Sequence, residues 1–80
     1  MNIPLIQGEF SSMDAMELIA QMMLIKIKYH ENKINNDSSE EDIKRREAKI
    51  KQLQNDLYEL RKMILSKNTT IKVESIIKIE

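Results

Sequence analysis

The chain has no cysteine, no tryptophan, one glycine, one proline and one histidine in 80 residues. Without cysteine there is no disulfide framework, no thiolate metal site and no cysteine nucleophile. One histidine does not make a histidine-rich metal cluster, and one glycine leaves no glycine-rich phosphate loop. Neither sign of charge is in excess, because 13 Lys and Arg balance 13 Asp and Glu. Zero net charge argues against broad electrostatic capture of nucleic acid or an anionic membrane. The longest apolar run is Met22 to Ile25, far short of the roughly 20 residues that span a bilayer. No basic-then-apolar leader precedes a small-residue cleavage site, so a cytoplasmic location is expected. Thirteen Ile and ten Lys suit an AT-rich genome, bacterial or phage.

Small size adds a constraint. A chain of this length buries only about 60–65% of its unfolded surface. With no disulfide or metal, oligomerisation is the common remedy. One Phe, two Tyr and six Met make the expected core aliphatic.

Residues 3–7 are short, β-branched and close to the only glycine, which predicts a strand. Pro4 cannot donate to a ladder and suits an edge or a strand start. Ser11 and Asp14 form a helix-start signature, with Phe10 placed as a hydrophobic staple before the cap. A helix is predicted over 12–33. Asn35, Asn36, Asp37 and Ser38 make a turn over 34–38. Ser38 with Glu41, or Ser39 with Asp42, restarts a helix over 39–66, roughly 40 Å long. Its first turn is acidic and its end basic, matching the helix dipole. Glu40–Lys44, Glu41–Arg45, Asp42–Arg46 and Glu47–Lys51 are expected as i,i+4 ion pairs. Residues 70–79 alternate, with Ile71, Val73, Ile77 and Ile79 on one side, which predicts a second strand. Ile76 breaks that alternation.

The pairing of the helices is the most informative pattern. Met13, Met16, Ala20, Met23, Ile27, His30 and Ile34 follow alternating 3,4 spacing, and so do Ile43, Arg46, Ile50, Leu53, Leu57, Leu60 and Ile64. This is the seam of a coiled-coil-like hairpin. Folded near Asp37, one antiparallel register satisfies every pair. Ile34 meets Ile43, His30 meets Arg46, Ile27 meets Ile50, Met23 meets Leu53, Ala20 meets Leu57, Met16 meets Leu60, and Met13 meets Ile64.

Helix 1 carries a second apolar stripe that this seam does not use: Leu18, Met22, Ile25 and Tyr29, with Ile19 beside it. A helix apolar on two faces must be covered twice. The fold expected over 1–80 is therefore one mainly α domain. It is a long antiparallel helical hairpin flanked by short N- and C-terminal strands that pair, with a dimeric four-helix core.

Other clusters point less clearly to chemistry. His30 with Arg46 forms a polar end to the seam rather than a base, nucleophile or ligand set. Tyr29, His30 and Glu31 are consecutive on a helix and point in different directions. Lys44, Arg45, Arg46, Lys49 and Lys51 form a basic stretch, but Asp42 and Glu47 interleave and no aromatic residue stands nearby to stack on bases. Met13, Met16, Met22 and Met23 suit an adaptable surface or a core. No catalytic constellation emerges, and neither cofactor nor metal is implied. The expected function is non-enzymatic: self-association as a homodimer and contact with other proteins through Leu18, Met22, Ile25 and Tyr29, or through a strand edge. The alternative is a small regulator that binds nucleic acid through Lys44–Lys51. No membrane partner is expected.

Overall fold

The computed structural model describes residues 1–67 and 69–80. Strand β1 (Asn2–Phe10) leads into helix α1 (Ser12–Lys33), then helix α2 (Glu40–Leu65), then strand β2 (Ile71–Lys78). The two helices pack side by side, and the two strands pair antiparallel into a small sheet at the open end of the hairpin.

Both helices begin where side-chain capping dictates. Ser11 Oγ accepts from the Asp14 amide at 3.1 Å, and Ser39 Oγ accepts from the Asp42 amide at 3.1 Å. Each satisfies one of the amides that a helix start leaves unpaired. Of the two caps the sequence offers for α2, Ser39 is used. Ser38 works in the turn instead, where its hydroxyl accepts from the Asn35 amide at 3.2 Å and donates to the Lys33 carbonyl at 3.3 Å. Asn35 Oδ1 accepts from the Asp37 amide at 2.9 Å, the local bond that makes asparagine a turn residue.

The core lies along the helix–helix seam. On α2 the residues that are not exposed are Ile43, Arg46, Ile50, Leu53, Leu57, Leu60 and Ile64, the seven seam positions and no others. On α1, Met16, Ile27 and His30 are buried, and Ala20 and Met23 are half-buried. Met13 departs from the expected seam. It is 77% exposed although Ile64, its expected partner, is only 2% exposed. Helical Cβ atoms tilt toward the N-terminus, so a first-turn residue such as Met13 points past the end of the hairpin. Ser12 Oγ ties that end instead, donating to the Lys67 carbonyl at 2.7 Å.

The first strand is longer than the expected 3–7. It runs from Asn2 through Gly8 to Phe10, and Phe10 pairs with Ile71. Gly8 ends no element: its φ of 146° is a conformation that a side chain strongly disfavours, and it lets the backbone stay in register opposite Val73. The register slips once, between Pro4 and Ile6, leaving Leu5 as the extra residue of a bulge. This is where proline, which has no amide to donate, interrupts the ladder.

Candidate functional site

The second stripe of α1 lies nearly opposite the seam, since successive helical residues turn by about 100°. Its four residues differ along the helix. Leu18 and Met22 are half-buried, whereas Ile25 is 69% exposed and Tyr29 is 54% exposed. Both strands touch α1. Off the seam, burial on α1 is concentrated in its first half, at Ala15, Leu18, Ile19 and Met22. The ribbon therefore covers the half of α1 next to the termini and leaves Ile25 and Tyr29 open.

The ribbon repeats this division. Ile6, Gly8 and Phe10 of β1 stand opposite Ser75, Val73 and Ile71 of β2. These six residues are half-buried, and their neighbours along each strand are exposed. Beyond the bulge the ribbon overhangs the helix, and Ile3, Leu5, Ile76, Ile77 and Ile79 are all exposed. The sequence pattern offers a strand edge to a partner but does not single out these bare apolar residues. The available signal was Ile76, which breaks alternation on the polar side, together with Leu5 at the bulge.

At the other end of the hairpin, His30 and Arg46 meet as the seam register requires. Arg46 Nη1 lies 3.0 Å from His30 Nδ1. A guanidinium only donates, so Nδ1 accepts and the imidazole proton sits on Nε2. Loss of hydration in the seam lowers the His30 pKa, and the positive charges of Arg46, Lys49 and Lys26 lower it further. Tyr29 and His30, although consecutive, do touch: their rings pack edge to face at 5.4 Å. Lys33 Nζ lies 5.6 Å from the centre of the Tyr29 ring.

The basic stretch does not form the expected ladder. Among the described residues the ion pairs are Arg45–Asp42 and Lys78–Glu80, so none of the four i,i+4 pairs on α2 is closed. Exposed pairs gain little over hydration. Arg46, expected to meet Asp42, turns into the seam to His30, where both groups leave water and the hydrogen bond is worth more. Lys44 and Lys51 fall on the outer side of α2, well away from the seam by helical spacing.

Among the described residues, no three His, Cys, Asp or Glu side chains gather where they would hold a metal ion, and no helix is long and apolar enough to cross a membrane. No protein-family model, no curated protein and no solved structure matches the chain.

Proposed function

We propose that this chain is a non-enzymatic helical-hairpin protein that works by protein–protein contact, and that its first partner is a second copy of itself. Shape is the observation that carries this reading. The molecule measures 47 × 33 × 13 Å, so it is flat, whereas stable folds bury their apolar faces between two layers. Its radius of gyration is 15.3 Å, against about 12 Å for a compact chain of this length. Its accessible surface is 6560 Å², against about 5,000 Å² for a compact protein of 9.4 kDa. The difference exceeds the roughly 800 Å² that one partner contributes to a standard interface.

The stripe of Leu18, Met22, Ile25 and Tyr29 is the surface for this contact, centred on its bare half. A two-fold axis beside Ile25 would set α1 against its own copy in isologous contact and complete a four-helix core with coiled-coil packing. Sedimentation velocity at micromolar concentration tests the reading. A dimer is expected for the unaltered protein. The double variant Met22→Glu, Ile25→Glu is expected to be monomeric, or unfolded if folding and assembly are linked. A well-folded monomer of the unaltered chain overturns it. The alternative, nucleic-acid binding through Lys44–Lys51, would appear as a salt-sensitive mobility shift with DNA or RNA.

A further inference from the structure

A polar cleft opens where the hairpin turns. It encloses about 230 Å³ and is lined by His30 and Lys33 of α1, Ser38 of the turn, and Asp42, Arg45, Arg46 and Lys49 of α2. Four cations meet one carboxylate there, and that carboxylate is already paired with Arg45. The chain as a whole carries no net charge, so this concentration of positive charge is local. It is also assembled by folding, since Lys33 arrives from the other helix.

We propose that this cleft binds a phosphate group, as the free anion or as a small phosphate monoester. The lining matches that chemistry. Arg46 supplies a planar fork of donors and uses one Nη on His30, leaving others free. Lys33 and Lys49 add mobile ammonium charges. His30 is held neutral with its proton on Nε2, which makes that nitrogen a donor and not a competing acceptor. The histidine is 8% exposed, yet among the described residues no buried side-chain nitrogen lacks a partner, so Nε2, for which the described residues supply none, stays within reach of solvent. Charge-assisted bonds to a phosphate oxygen are the stronger kind. The volume holds one such group and is too small for the drug-sized ligands that fill larger pockets. Lys44 and Lys51 lie off the cleft, so no continuous track follows a nucleic-acid backbone. The proposal does not rest on self-association, although the Tyr29 ring at the end of the α1 stripe touches His30 and Lys33 of the cleft.

The repulsion that burdens His30 gives a direct readout. The groups facing it are Lys26, Lys33 and the Tyr29 ring from α1, and Asp42, Arg45, Arg46 and Lys49 from α2, with Asp56 beside Lys49 in the adjoining groove. A bound phosphate offsets those cations and raises the affinity of His30 for a proton. His30 is the only histidine, so its imidazole NMR signals are assigned without ambiguity. The full chain is titrated with inorganic phosphate, and separately with a phosphate monoester, at fixed ionic strength with chloride as the control. A saturable shift with phosphate but not chloride, and an upward move of the His30 pKa, are expected. Lys33→Gln and Lys49→Gln each weaken binding about tenfold, as loss of one charge-assisted bond does, while Lys44→Gln and Lys51→Gln leave it unchanged. No saturation with either anion overturns the site. An equal response to chloride, or an equal loss in the Lys44 and Lys51 variants, also overturns it, because the effect is then general screening. So does saturation by an oligonucleotide alone.

Discussion

The two helices differ in how many neighbours they need. Helix α2 has one: its seven non-exposed residues are its seam residues, and every other residue of the helix is exposed. Helix α1 is apolar on the seam side and again on the opposite side, and within the chain it receives only half of its second covering. Ala15, Leu18, Ile19 and Met22 lie under or beside the ribbon, while Ile25 and Tyr29 are bare. A helix with one apolar face is completed by one partner close in sequence. A helix with two recruits its second partner from far away in sequence, or from another molecule. Burial on α2 could therefore be read from periodicity alone, and burial on α1 could not.

The sharpest test of this contrast is Ile64, the most enclosed large side chain of α2. Ile64→Ala should cost about 2–5 kcal/mol in urea unfolding, as buried large-to-small changes do. Asn55→Ala, on the far side of the same helix, should stay within about 0.5 kcal/mol. Equal effects would break the one-neighbour description of α2.

Overpacking distinguishes the off-seam faces. Ala15 is 0% exposed without belonging to the seam, and Ala48 is exposed on the outer side of α2. Ala15→Leu should destabilise by about 1–3 kcal/mol, and Ala48→Leu should be nearly neutral. If both are tolerated, the ribbon does not pack on α1 as described.

The contrast should vanish at the helix starts, which are built alike. Ser11→Ala and Ser39→Ala each remove one cap and should each cost about 1 kcal/mol by thermal or urea unfolding. A much larger loss at Ser11 would mean that the ribbon's attachment to α1, and not only the cap, depends on that hydroxyl.

The smallest expected effect is on pH dependence. The folded state lowers the His30 pKa below its ordinary value of 6.5, so the unfolded chain binds a proton more readily. Stability from the neutral imidazole is complete above about pH 6.5 and declines as pH falls from there through the lower folded value. The melting temperature should drop between about pH 7 and about pH 5, and His30→Gln should flatten that slope. An unchanged slope would mean that other groups govern it.

Much of the hairpin was legible because its signals are short-range. Ser11 and Ser39 bond to amides three residues ahead, and the alternating 3,4 spacing marks which side of each helix meets the other. The same register brought His30 to Arg46. The failures are equally specific. Asp42 pairs with Arg45 and not Arg46, because Arg46 has a better site in the seam. Met13 points past the hairpin's end. The first strand continues through Gly8, which reads locally as a stop and serves here as the one residue able to take a φ of 146°.

The residue pattern alone specifies the helices, the Ser11 cap, the turn and the face each helix offers the other. Each depends on contacts within a few residues or on a repeat that matches helical geometry. Packing between elements sets which serine caps α2, how long the strands run, where the ladder slips at Leu5, which half of the α1 stripe is covered, and that Lys33 joins Arg46 and Lys49 around His30. Those outcomes depend on surfaces of separate elements that meet, at the hairpin turn or between the two ends of the chain. Local periodicity records that a side chain must be covered, but not which distant segment arrives to cover it.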